Sequence, residues 1–342
     1  MLHALDQLRR FQGWLMDIAG FGPEEAPYRL LTSGPGFRVR AYGGPRGGPV
    51  LLIVPAPIKR PYIWDLAPDA SVVRHCLAAG LRVHLVDWTV PDSGTADWGL
   101  ADYAGRFIAD AVEAVAGDSG EERVLLAGHS LGGTLAAIFA ALHPERVRGL
   151  VLLEAPLAFG RNAGAFAPLV AAAPPAGVVR SAFDTVPGSF LNAISLGAAP
   201  DTFAAEVWRD RMASLVDPAD ARLHSRVMRW TLDEFPMPGR LFEDIVEDLY
   251  RQNRFAEGRL RIGGHEVGAD RLRMPVLAVV DPQSTIIPPV STLSALAGGE
   301  VRALQYAGDR GVALRHVGVL VGRSAHRTLW PAIHTWMAAV GP

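Results

Sequence analysis

Short, fully apolar runs alternate with longer stretches of helical period over the first 155 residues. Val50–Val54, 81–86, 124–127 and Val147–Leu153 are apolar at nearly consecutive positions, the pattern of strands buried on both faces. Helical patterns separate them, around 71–79, 101–115 and 134–142. Ahead of them, 28–32 and 37–42 flank Ser33-Gly34-Pro35-Gly36 and predict a hairpin. This alternation predicts a mainly parallel sheet with helices on both faces.

The alternation stops at residue 155. Residues 155–270 hold Ala/Pro/Gly-rich stretches and helical patterns, with no clear series of buried strands. A buried strand returns at 274–280, a weaker one follows at 301–306, and a last helix spans 325–340. The expected organisation is one core, residues 1–154 and 271–342, interrupted by a cap over 155–270. The Ala-rich stretch 167–175 is expected to serve as a lid segment. Residues 1–18 read as an amphipathic helix rather than a secretory signal. Leu5, Leu8, Phe11, Trp14, Leu15 and Ile18 share one face, expected to pack on the domain or on a second copy in a homodimer.

Composition narrows the possibilities. The 342 residues are 49% hydrophobic and 20% charged with a net charge of −2, which suits a globular enzyme and argues against a nucleic-acid partner. No run approaches the ~20 apolar residues of a membrane span, so a cytoplasmic location is expected. Cys76 is the single cysteine, which excludes an internal disulfide and a cysteine-based zinc site. Neither it nor its neighbour His75 sits at metal-ligand spacing, and no cofactor is expected.

The chemistry concentrates at Gly128-His129-Ser130-Leu131-Gly132. A buried strand precedes this Gly-x-Ser-x-Gly run and an Ala-rich helix follows it, the context of a nucleophile elbow. The turn strains the serine backbone, and the flanking glycines let strand and helix approach. Ser130 is the candidate nucleophile, and the Leu131 amide, at the helix N-terminus, the first oxyanion donor. The second donor falls in Pro55-Ala56-Pro57-Ile58. The prolines carry no N–H, which leaves Ile58, or else Ala56.

A serine nucleophile needs a base, and the base an orienting acid. Chain order of nucleophile, acid and histidine selects His316, in the loop before the last helix, over His326 and His334 within that helix. Two carboxylates compete for the acid. Asp281 ends the strand 276–280, and Glu154 ends the strand 147–153. A carboxylate closing so apolar a strand is costly without a partner, which favours Glu154 and leaves Asp281 as the alternative.

Further motifs carry a resemblance. Pro61-Tyr62-Ile63-Trp64-Asp65-Leu66, Val86-Asp87-Trp88, Trp230 with 233–239, the segment 258–264, and His316-Val317-Gly318-Val319 resemble the polyhydroxyalkanoate synthase family over most of residues 50–340. The resemblance implies an α/β-hydrolase fold, a cap over the site, and ester or thioester acyl chemistry. Two departures fall at the chemistry. Ser130 stands where those synthases have cysteine, and Ser284 where they have their catalytic acid. A hydroxyl cannot replace a carboxylate in stabilising an imidazolium, so the acid must come from elsewhere. A serine nucleophile suits hydrolysis, and the expected activity is a serine ester hydrolase acting on a small ester, an acyl-thioester or a polyester. The alternatives are a synthase-like acyltransferase using hydroxyacyl-coenzyme A and a non-catalytic polymer- or partner-binding homologue. Arg251, Arg254, Arg259 and Arg261 are expected either to be a solvated charged face or to hold a phosphate-bearing acyl carrier.

Overall fold

A computed structural model describes residues 1–312 and 314–340. Eight strands form one sheet: β1 (Arg29–Gly34), β2 (Phe37–Gly43), β3 (Val50–Val54), β4 (Arg82–Trp88), β5 (Val124–His129), β6 (Val147–Leu153), β7 (Val276–Val280) and β8 (Val301–Gln305). Their order is β1-β2-β4-β3-β5-β6-β7-β8. β1 and β2 pair antiparallel, as does β2 with β4, and every later pair is parallel. This is the α/β-hydrolase architecture that the sequence implies.

The pleat divides the sheet's apolar side chains between two cores. Leu52, Leu126, Leu152 and Ala278 face one, with helices α3 (Phe107–Ser119) and α4 (Leu131–Leu142). Leu51, Leu125, Val151 and Leu277 face the other, with α2 (Val72–Ala78) and the final helix, Trp330–Ala339. Both faces are covered, which is why the strands read as unbroken apolar runs.

Between β6 and β7 the chain is mostly helical. It runs through α5 (Phe166–Ala172), α6 (Gly177–Ala182), α7 (Gly188–Ala198), α8 (Val207–Ser214), α9 (Pro218–Thr231) and α10 (Gly239–Asp244). Short strands Leu260–Ile262 and His265–Val267 close the segment as a hairpin. Leu260, Ile262 and Val267 are buried in the α3/α4 core, so the end of this stretch packs with the sheet domain.

Helix α1 (Leu2–Ile18) does not pack its apolar stripe on the rest of the chain, the first of the two expected arrangements. It docks on the inserted helices through its polar edge. Asp6 accepts from the Ser189 amide at 2.8 Å, Arg9 pairs with Glu234, and Asp17 with Arg229 at 2.6 Å. A Cβ at Gly13 would press on the Arg229 guanidinium. The apolar stripe points outward instead, from Leu5 at 42% to Ile18 at 66% exposed. Charge pairing rather than apolar burial therefore fixes this helix. Among the described residues, no helix is long and apolar enough to cross a membrane.

Candidate active site

The sheet delivers three side chains to one place through the ends of adjacent strands. β5 stops at His129, and Ser130 turns with φ of 54° before α4 begins at Leu131. The Ser130 amide donates to Leu153 O at 3.0 Å, tying the turn to the end of β6. A Cβ at Gly132 would run into the Val54 carbonyl and the Ala56 amide, and one at Gly128 into the backbone of Gly133. Only glycine lets α4 approach the sheet this closely.

Glu154 follows β6 directly and also holds a left-handed backbone, φ 43°. Its amide donates to Val279 O at 2.9 Å, which fixes it against β7. A positive φ in a residue other than glycine costs on the order of 1–3 kcal/mol and persists where the surroundings enforce it. The side chain is 1% exposed, and Oε2 lies 2.9 Å from His316 Nδ1. Ser130 and His316 line one cavity with Leu131 and Ile58. Ala56 is not among the lining residues, and a Cβ at Gly132 would meet its amide.

Asp281 is near enough to act on both Glu154 and His316 electrostatically but is bonded to other groups. It is buried and pairs with Arg315 Nε at 2.7 Å, and its Oδ1 accepts from the Gln283 amide at 2.8 Å. Ser284 Oγ accepts from the Ile287 amide at 3.1 Å. The loop after β7 thus folds on itself, and its carboxylate anchors the residue before His316 rather than the imidazole. His326 and His334 lie apart in the final helical segment, with His326 stacked on His75 and His334 Nε2 3.6 Å from Cys76 Sγ.

The electrostatics follow from burial. Desolvation pulls the His316 imidazole down to about 4 against the pull of Asp281, which favours the neutral ring, the form able to accept a proton. Burial pushes the Glu154 carboxyl up, and Asp281 adds to that, while Arg315 opposes it. Glu154 Oε2 and His316 Nδ1 are hydrogen-bonded at 2.9 Å, and His316 also lines the cavity.

Two neighbours escaped the sequence reading. The His129 ring packs on His316 at 4.3 Å between centroids, and its Nε2–H donates to the His316 carbonyl at 2.9 Å. Arg315 joins Asp281 and Gln283 to the histidine loop. The adjacency of each to a candidate residue was the only signal available. The four cap arginines do not converge. Arg251 meets Glu247 and the Ala173 carbonyl, Arg254 meets Asp248, Arg259 meets Glu257, and Arg261 meets Glu266.

The cavity measures about 620 Å³, within the ~300–1,000 Å³ of small-molecule sites. Its far wall comes from the inserted helices, including Phe166, Leu169, Ile194, Val246 and Tyr250. A serine, a neutral histidine and a buried carboxylate at such a wall can carry nucleophilic acyl chemistry.

Comparisons with known proteins agree with this geometry. Residues 49–216 match the alpha/beta hydrolase fold family. The chain is 34% identical over 301 residues to a poly(3-hydroxyalkanoate) polymerase subunit PhaC of Haloferax mediterranei, covering 84% of this chain and 58% of that protein's length. It is 30% identical to the PhaC subunit of Allochromatium vinosum over 87% of this chain and 83% of the relative. Against that of Synechocystis it is 30% identical over 98% and 89%. Among solved structures, a Paleococcus ferrophilus monoacylglycerol lipase superposes with a TM-score of 0.54 at 16% identity, covering 89% of this chain and 99% of the lipase. An enol-lactonase from Burkholderia xenovorans gives 0.54 at 13%, over 91% and 100%. At such identities these two structures speak to the fold alone.

Proposed function

The chain belongs to the poly(3-hydroxyalkanoate) polymerase family, and from that membership we propose that it transfers hydroxyacyl groups through an ester on Ser130. The observation that carries this reading is the Glu154–His316 contact of 2.9 Å beside Ser130 at the wall of an apolar cavity. Ser130 Oγ attacks the acyl carbonyl carbon while its proton passes to His316 Nε2. The Leu131 and Ile58 amides stabilise the oxyanion. Glu154 holds the imidazole by Nδ1 and balances its charge once it is protonated. The thiol or alcohol then leaves with that proton, and the acyl group remains on Ser130 as an ester. A hydroxyl of a second hydroxyacyl unit gives its proton to His316 and attacks in turn. A new ester bond forms and Ser130 is released.

Water in place of that hydroxyl gives hydrolysis. Ser130 itself favours this second reading, because an oxygen ester rather than a thioester then sits on the enzyme. The acceptor decides between the two, and the likeness to polymerases supports transfer. The test is the product ratio. Supplied with a hydroxyacyl thioester, the enzyme is expected to release more oligomeric ester than free hydroxy acid. Free acid alone would assign it to hydrolysis. Ser130→Cys, which restores a thiol nucleophile, is expected to raise transfer from thioesters further relative to ester hydrolysis.

A further inference from the structure

Arg9 and Lys59 are the only lysine or arginine side chains among the described residues lining the catalytic cavity, and no aspartate or glutamate joins them there. They arrive from distant parts of the chain and share two acceptors. Lys59 Nζ donates to the Thr231 carbonyl at 2.6 Å, and Arg9 Nη2 donates to the same oxygen at 3.1 Å. Arg9 Nε is bonded to Glu234 Oε1, whereas Glu234 Oε2 stands 3.7 Å from Lys59 Nζ and takes no hydrogen bond. One carboxylate thus serves two cations. The neighbouring Asp233 is taken up by Tyr62 at 2.6 Å and Arg229 at 2.8 Å.

Placing two cations with one carboxylate between them in the wall of a cavity lined by Phe190, Leu191, Met228 and Trp230 is costly unless a second anion meets them. The strain registers at Lys59, which burial pulls down to about 8 despite Glu234. Hydrogen-bonding capacity is left over as well. The lysine ammonium has three N–H donors and the arginine guanidinium five, and the bonds named above use three of the eight.

We infer that Lys59 and Arg9 form an anion subsite of this cavity, which binds a carboxylate or phosphate group carried by the acyl substrate. That ligand is named on the strength of the acyl-transfer reading, whereas the cationic wall is a matter of geometry. Lys59 directly follows Ile58 in the chain, and both line the cavity that holds Ser130. Two sources have this chemistry: the phosphates of a coenzyme A thiol part, and a carboxylate at the end of the acyl chain.

Matched substrates separate them. One pair offers the same acyl group on coenzyme A and on N-acetylcysteamine. The other offers nitrophenyl esters of equal acyl length with and without a terminal carboxylate. In the wild type, kcat/KM is expected to favour the anionic member of one pair. Lys59→Met should reduce that ratio by at least ~10-fold, the worth of about one charge-assisted hydrogen bond, and Lys59→Arg should retain most of it. A loss confined to the first pair assigns the phosphate, and one confined to the second assigns the carboxylate. Arg9→Gln, on the outer helix, supplies an independent variant should Lys59→Met not fold. Binding is also read without turnover, by calorimetry on Ser130→Ala with free coenzyme A and with a long-chain dicarboxylate. A ~10-fold weaker Kd upon adding Lys59→Met supports the subsite. If neither ratio nor either Kd moves by more than ~2-fold, the subsite is overturned. Full turnover in Ser130→Ala would instead overturn the acyl-enzyme reading and leave the binding result standing.

Discussion

Replacing Glu154 by Gln isolates the charge of the candidate acid from its shape. A glutamine oxygen can still accept from His316 Nδ1–H across the present 2.9 Å, so the ring keeps its orientation. What disappears is the negative charge opposite the imidazolium that forms during the reaction. Glu154 is 1% exposed, and no water can screen or replace it. Asp281 cannot substitute, because its carboxylate is held by Arg315 at 2.7 Å. The expected loss is ~10²–10⁴-fold in kcat/KM, or about 3–5.5 kcal/mol at about 1.4 kcal/mol per decade. Asp281→Asn removes an anchor of the histidine loop, but Arg315 is 28% exposed and can turn to solvent, so a loss within ~10-fold is expected. The assay is steady-state turnover of a nitrophenyl ester by both variants, with circular dichroism to establish that each is folded. If Asp281→Asn lost more activity than Glu154→Gln, the assignment of the acid would be refuted.

Three further outcomes follow from the packing. Gly132→Ala forces a methyl group against the Val54 carbonyl and should cost about 1–3 kcal/mol, seen as a lower denaturation midpoint together with impaired turnover. Val246→Trp fills part of the cavity and should cut turnover of long acyl esters at least ~10-fold relative to butyryl esters. An equal loss on both would place the acyl chain elsewhere. Acid stability rests on buried histidines: burial, with His75 stacked alongside, pulls His326 down to about 4. The unfolded chain, with an ordinary value near ~6.5, binds more protons between those limits, so stability falls as pH drops through that window, by about 3 kcal/mol for this group. His326→Phe should flatten that slope in chemical denaturation, and an unchanged slope would reject the assignment.

The sheet and the elbow were legible because each rests on local pattern. Val50–Val54 and Val147–Leu153 are apolar throughout since both faces are covered, and Gly128 and Gly132 mark a close approach that the chain cannot make otherwise. Glu154 stood out as a candidate for a related reason, as one carboxylate ending an apolar strand. What the sequence concealed depends on distant partners. The stripe of α1 suggested packing on the domain or on a second copy, whereas within the chain Asp6, Arg9 and Asp17 find partners some 180 to 230 residues away and the stripe is left exposed. Arg315 could not be connected with Asp281 from spacing, nor Lys59 with Arg9 and Glu234, because each pair is assembled by the crossing of strand-end loops and inserted helices. His129 reads as the variable position of the elbow, and its bond to His316 becomes visible only when both strand ends are placed.

The central claim is an acyl group carried on Ser130. Rapid acid quenching during turnover of a hydroxyacyl thioester, followed by peptide mass spectrometry, tests it most directly. The predicted result is the mass of the acyl group on the peptide bearing Ser130. The adduct should vanish in Ser130→Ala together with at least ~10³-fold of the turnover. An adduct on a different residue, or near-normal turnover by Ser130→Ala, would contradict the account.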